Sequence, residues 1–513
     1  MKIVLIQCPA WAVESPSYAL SLLSSILRKS GHEVKCFDIN IDLFRYCQGR
    51  EEAESWCMDD KGNCWYDKSY VKRFIDRYYS YIQELVNRVL AEEAAVIGFS
   101  VKSTSRHFSI ELARKIKEKD SKRIIIFGGP QCFKNCEGIG VLNNPWIDAV
   151  CYGEGENALV EFLERMNQNK SLGYCHGFAY RDFSGRIVEC EEALQVSDLN
   201  TLPFADHSDF DLAGYTKKLL PIFTSRGCTH RCTFCSESPH WRKYRHRAVE
   251  NVYQEMIFQL KKYPHINEFW FNDSLMNGNI PGLESLCDLL IRNRSDIKWG
   301  GQAYVRPEMT PGLLNKMKKA GCKVISYGLE SGSDNVLKLM RKGYTSESAE
   351  RVIRDTFRAG IYTIFNIIVG YPGETEDDFN ETNDFLIRNV QYANEIAMSP
   401  LLLLKGSYIY DHAGDLGICL PDADAQLCWF TSDGQNTYEV RLRRLEAYKE
   451  IVRGKAYCTR SDSDTNIEVG DMMFQKGEFQ KALDSYQKAR ALNKDPNKVN
   501  TIEERIMHAK GRI

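Results

Sequence analysis

Two rounds of strand and helix alternation predict an α/β protein: a doubly wound parallel sheet, then a partial (β/α)6 barrel, then a helical C-terminal segment. Three observations carry this. Short apolar runs at 2–7, 33–37, 95–100, 123–127 and 148–152 alternate with amphipathic stretches at 18–29, 107–118 and 157–167. After Pro221 the alternation restarts, with apolar runs at 221–225, 268–272, 298–304, 323–329, 363–370 and 396–403 separated by helical stretches such as 249–262 and 310–320. Between the two rounds lies a turn-rich segment, 198–211, carrying Leu202-Pro203 and the acids Asp206, Asp209 and Asp211.

Each element has a local reason. The helix over 18–29 stops at Gly31, which ends helices readily, and the next apolar run follows at once. Residues 41–90 are richer in Tyr, Trp and charge, and are expected as a helical insertion beside the sheet. The expected domains are therefore 1–190, a linker at 191–215, the barrel at 216–410, a helical extension at 411–464 and a hairpin at 465–513. A six-repeat barrel is open, since a closed one needs about eight. In the last segment Gly470, Gly477, Ala482, Tyr486, Ala489 and Pro496 stand at tetratricopeptide-like offsets. One such unit either caps the barrel or recognises a protein partner.

Composition narrows the class. In 513 residues, 43% are hydrophobic and 27% charged, the balance of a globular protein. Basic and acidic residues number 67 and 69, a net charge of -2, so no overall field favours nucleic acid. The chain lacks an apolar run of about eighteen residues and an export signal, so no membrane span and a cytoplasmic location are expected. Its 18 cysteines are then read as reduced thiols, some of them binding metal.

Cys228, Cys232 and Cys235 follow the first strand of the second round in the spacing CxxxCxxC. A chance match somewhere in this chain is about a 2% event. Three thiolates on one loop converge on an inorganic cluster and leave one iron open, where a small molecule binds and takes an electron. The rival is a structural zinc site completed by His230 or His240, though no second CxxC pair supplies the usual four ligands. Cys132 with Cys136, and Cys57 with Cys64, lack converging partners.

On this motif the chain resembles the radical S-adenosylmethionine superfamily. The likeness continues through Asn272-Asp273, Arg306, the run Gly328 to Ser333, and Gly370 to Thr375, all at strand ends on the functional rim of a barrel. It implies a 4Fe-4S cluster on the three cysteines, with S-adenosylmethionine on the open iron. It also implies Phe234 beside the adenine and Glu330 toward the ribose. Asp273 and Arg306 either hold the cofactor or form rim salt bridges. The first round resembles the Rossmann-like, flavodoxin-like cobalamin-binding half of cobalamin-dependent members. That likeness runs through Gly31-His32-Glu33, Gly98-Phe99-Ser100, Phe127-Gly128-Gly129-Pro130 and Tyr152-Gly153-Glu154-Gly155-Glu156. Gly128 and Gly129 let backbone approach the cobalamin tail. No DxHxxG signature is present, so no lower histidine ligand is expected, and Gln131-Cys132 departs from the usual family pair. Lys102 to Ser105 either contact cobalamin or cap a helix.

The resemblance implies methyl transfer to an unactivated carbon of a small-molecule or peptide substrate, with electrons from a donor such as flavodoxin or ferredoxin. Radical oxidation, cyclisation or rearrangement with the same cofactors is the alternative. A scaffold protein with a structural metal site is the alternative of another class.

Overall fold

The computed structural model describes residues 1–56, 62–293, 296–420, 426–452, 474, 479–492 and 496–512. Seven strands form the first sheet: β1 (Lys2–Gln7), β2 (Glu33–Asp38), β3 (Val96–Ser100), β4 (Ile124–Gly128), β5 (Ala149–Cys151), β6 (Phe178–Arg181) and β7 (Ile187–Glu189). Their spatial order is β2-β1-β3-β4-β5-β6-β7. The first five run parallel, and β6 and β7 return antiparallel as a hairpin that the apolar pattern had not indicated. Strand β3 is buried along its whole length, as a parallel sheet covered on both faces requires.

The chain turns one way from β1 to β2 and the other way to β3. Their carboxyl ends, Gln7 and Ser100, therefore flank a topological switch point, where open sheets form a crevice. The helix Tyr18–Lys29 is capped by the Ser17 side chain accepting from the Leu20 amide. The described residues of 41–90 are largely helical as expected, with helices Ile39–Cys47, Lys68–Arg77 and Tyr79–Leu90 around an aromatic knot of Trp56, Trp65 and Phe74. Cys57 lies outside the described residues.

The second sheet starts with β8 (Leu219–Ile222), after which the chain makes a two-residue antiparallel bridge between β9 (Ser225–Arg226) and β10 (Arg245–His246). It continues through β11 (Glu268–Phe271), β12 (Lys298–Ala303), β13 (Cys322–Glu330), β14 (Tyr362–Val369) and β15 (Glu395–Pro400). These six strands are all parallel, in the order β15-β14-β13-β12-β11-β8. Neither β8 nor β15 closes on the other, which leaves the barrel partial.

The described residues of 411–464 differ from a purely helical extension. A small ribbon of β16 (Ile418–Cys419) and β17 (Phe430–Thr431) precedes the helix Tyr438–Val452. Arg444 on that helix reaches back to Glu374 at 2.7 Å, and both are buried. At the C-terminus, helices Phe479–Leu492 and Pro496–Lys510 pack through Ala482, Tyr486, Ala489, Ile502 and Ile506. Pro496 thus opens the second of these helices, a favourable first position for proline. Gly470 and Gly477 lie outside the described residues. Among the described residues no helix is long and apolar enough to cross a membrane.

Candidate active site between the two sheets

Gly227 stands between β9 and the first cysteine with φ +83°, and a Cβ there would lie 2.7 Å from the Lys243 carbonyl. Only glycine turns the chain there without strain. The loop that follows carries Cys228, Cys232 and Cys235, all free thiols and half-buried. The Cys228 Sγ accepts from the His230 amide at 3.4 Å, and the His230 ring stacks on Tyr304 at 3.5 Å. Thr233, between the second and third cysteines, anchors the loop. Its amide donates to the Met340 carbonyl at 3.2 Å, its hydroxyl meets the Tyr371 hydroxyl at 2.7 Å, and its carbonyl accepts from the Ile409 amide at 3.1 Å. Among the described residues no three Cys, His, Asp or Glu side chains are gathered as one ion requires. Three corners of a cubane ask for a wider spread.

Burial pushes the Cys228 and Cys232 thiols up, with the Lys342 ammonium pulling the other way. Lys342 is itself buried, which disfavours its charge, but the Glu330 carboxylate at 2.9 Å more than offsets that and holds it protonated. Its Nζ also donates to the Gly328 carbonyl at 3.1 Å. Glu330 occupies the end of β13 with φ +69°, a left-handed conformation that a non-glycine residue holds only at a cost. Phe234 packs with Val336, Met340 and Tyr371, and Lys342 Nζ stands 5.5 Å from its ring centre. Lys342 was not singled out from sequence, because nothing in a lysine twelve residues past Glu330 marks it as buried.

The structure places the remaining expected residues as follows. Asp273 is buried, accepts from the Thr224 amide at 2.7 Å and the Ser225 hydroxyl at 2.8 Å, and also takes the Thr224 hydroxyl. It braces the segment entering the cysteine loop, and burial raises its carboxyl. Arg306 donates to the carbonyls of Asn277 at 2.8 Å and Gly278 at 3.1 Å. Gly128 ends β4, and Gly129 follows with φ +94°, where a Cβ would lie 2.8 Å from the Val101 carbonyl.

The carboxyl ends of both sheets face one cavity of about 840 Å³. Gln7, Ser100, Gly128 and Gly129 line it from the first sheet; Asn272, Asp273 and Gln302 line it from the second. Trp241 and Trp270 add aromatic wall. Lys102 also faces this cavity, with Nζ 3.7 Å from the Trp11 ring centre, and burial lowers its amine to about 7. The Lys102 amide meanwhile donates to the Ser105 hydroxyl at 2.9 Å, a turn-forming contact.

A buried ion-pair network joins the two halves at the cavity wall. Glu154, after β5, accepts from Arg226 at 2.8 Å and from Arg245 at 2.8 Å; Arg226 also meets Glu156. Burial alone would raise the Glu154 carboxyl, but Arg245 and Arg226 hold it below its ordinary value. Arg226 immediately precedes Gly227-Cys228, so a first-domain carboxylate grips the root of the cysteine loop. The Gly-Glu-Gly-Glu run was noticed in the sequence, but not its partner some seventy positions later.

Comparison with known proteins agrees with this architecture. Residues 222–386 match the radical SAM superfamily, which uses a 4Fe-4S cluster and S-adenosylmethionine. The chain is 23% identical over 323 residues to an uncharacterised methyltransferase of Pyrococcus horikoshii, covering 62% of this chain and 69% of the relative. It is 24% identical over 416 residues to the cytidylyl-2-hydroxyethylphosphonate methyltransferase of Streptomyces wedmorensis, covering 71% and 72%. Among solved structures it is similar to TsrM, a radical S-adenosylmethionine methyltransferase of Kitasatospora setae with cobalamin and a 4Fe-4S cluster bound. That match has a TM-score of 0.67 at 17% identity, over 96% of this chain and 99% of TsrM. With three cysteines on the loop after the first strand of an open six-stranded barrel, residues 222–386 are a radical SAM domain, set in a chain that shares the two-sheet fold of TsrM.

Proposed function

We propose that this enzyme uses cobalamin and transfers a methyl group to an unactivated carbon of a small-molecule or peptide substrate. The observation that carries the reading is the cavity onto which both sheets open. When bound, the cluster supplies the electron that releases a 5'-deoxyadenosyl radical from S-adenosylmethionine, and cobalamin carries the methyl group. The residues present fit both groups. Cys228, Cys232 and Cys235 offer three thiolates beside the buried Lys342 ammonium, which favours an anionic cluster. The switch-point crevice, with Gly128 and Gly129 free of side chains, suits a large planar ligand.

In this reading Glu330 and Lys342 orient the polar parts of S-adenosylmethionine, and Phe234 packs beside its adenine. Asp273 and Arg306 hold the loops in place and do not touch the reacting atoms. Trp241 and Trp270 exclude water from the space where a radical would otherwise be quenched. The methyltransferase names of two curated relatives support methylation, while relatives named as anaerobic magnesium-protoporphyrin IX monomethyl ester cyclases keep ring formation as the second reading.

The test is anaerobic reconstitution with iron, sulfide and cobalamin, then incubation with S-adenosylmethionine and candidate substrates. A product heavier by one methyl group, with cluster absorption near ~400 nm, is the expected result. Cys232→Ala should lose that absorption and all 5'-deoxyadenosine formation; continued formation would remove the cysteine loop from the mechanism.

A further inference from the structure

Lys102 follows β3 at the switch point, and its backbone is committed to the turn. Its amide donates to the Ser105 hydroxyl at 2.9 Å, and its carbonyl accepts from the Ser105 amide at 3.1 Å, just before the helix Arg106–Lys119. Its side chain faces the cavity instead. Among the described residues the Lys102 Nζ donates no hydrogen bond and joins no ion pair. It stands 3.7 Å from the ring centre of Trp11, and an indole face favours the charged ammonium over the neutral amine.

The neighbouring carboxylates do not answer this cation. Asp38, at the end of β2, is the acid whose field reaches the amine, but its oxygens accept from the Ile41 amide at 3.2 Å and the Tyr215 hydroxyl at 2.8 Å. Burial outweighs that field, since the Lys102 amine still falls to about 7. Glu14 also lines the cavity and accepts from the Val13 amide at 3.0 Å. Other cations of the wall are engaged or stand apart: Arg226 meets Glu154 and Glu156, Lys405 meets Glu137, and exposed Lys217 precedes β8 on the second-domain side. A lysine taken out of water without a carboxylate is costly, and that cost falls when an anion arrives.

The glycine turn after β4 indicates which part of a ligand comes here. Val101, next to Lys102, donates its amide to the Gly128 carbonyl at 2.7 Å and accepts from the Gln131 amide at 3.1 Å. Lys102 therefore springs from the strand end that seats Gly128 and Gly129, whose missing side chains leave room for a nucleotide tail. The corrin side chains of cobalamin are neutral amides, and its one anionic group is the phosphodiester of that tail. We infer that the Lys102 ammonium, held over Trp11, binds the phosphodiester of the cobalamin tail. The inference rests on the cobalamin reading above and deepens it: the crevice selects corrinoids that carry a tail phosphate.

The experiment measures retention of three corrinoids by the reconstituted full-length protein, using ultrafiltration and visible absorbance. They are hydroxocobalamin, cobinamide phosphate, which has the phosphate without the base, and cobinamide, which has neither. Wild type should hold cobinamide phosphate more tightly than cobinamide. In K102M, affinity for hydroxocobalamin and cobinamide phosphate should fall by about ten-fold, the scale of one charge-assisted hydrogen bond, while cobinamide stays within about two-fold of wild type. K102Q keeps a hydrogen-bond donor without the charge and should behave like K102M. Equal wild-type affinities for cobinamide phosphate and cobinamide would overturn the inference, as would unchanged binding of cobinamide phosphate in both variants. An equal loss for cobinamide would overturn it too, because the substitutions would then act through the corrin or the fold. A loss confined to hydroxocobalamin would place the contact on the base and not on the phosphate. A wild type that retains none of the three would remove the cobalamin reading itself, and the inference with it.

Discussion

His207 is fully buried in the linker, its Nδ1 2.8 Å from the Ser21 hydroxyl, and burial pushes its imidazole down to about 3. The unfolded chain protonates this group near its ordinary value of 6.5, while the folded chain does not until far lower pH. Stability is therefore complete above pH 6.5 and is lost progressively as pH falls toward 3, because the unfolded state binds the extra proton in that window. At pH 5 the loss is about 2 kcal/mol. Urea midpoints at pH 7.5 and pH 5 should show this difference, and His207→Gln should reduce it; an unchanged pH slope in the variant would assign the effect elsewhere. Asp38 works in the opposite sense. Burial raises its carboxyl to about 6 despite the Tyr215 hydroxyl at 2.8 Å, so its charged form costs stability as pH rises from about 4 to 6.

At the scale of elements, the turn after β4 is the most demanding local structure on the first-domain side of the cavity. Gly129→Ala must place a methyl group at 2.8 Å from the Val101 carbonyl with φ +94°. A cost of about 1–3 kcal/mol in urea denaturation is expected, together with weaker retention of cobalamin on gel filtration. An alanine variant as stable as wild type would show that this turn relaxes easily. The parallel strands were legible from sequence because long buried runs such as 96–100 and 124–127 carry their own signal. The hairpin β6–β7 was not, since four- and three-residue strands with mixed burial leave no period to read. The first barrel strand begins two residues before Pro221, at Leu219, because a proline is tolerated at the sheet's edge. The ribbon β16–β17 is two residues a side and equally silent in the sequence.

For the whole molecule, the two sheets are joined by a continuous apolar core and by ion pairs at the cavity wall. Arg226, Arg245, Glu154 and Glu156 form the buried joint, and Lys405 meets Glu137 at 3.2 Å across the other side of the cavity. Glu154→Gln leaves the largely buried Arg245 without a charge partner, and a loss of about 3–5 kcal/mol is expected. Calorimetry should resolve two transitions in that variant where the wild type gives one; a single unshifted transition would show that apolar contact alone holds the halves together. The cysteine loop could be read directly from three letters at fixed spacing. The joint could not, because pairing between residues 154 and 226 is a property of the folded arrangement and leaves no trace in either local segment.

The shared cavity also bears on kinetics. A ligand lying between the two sheet rims touches both halves at once, so its binding opposes the parting of Arg226 from Glu154 and slows separation of the rims.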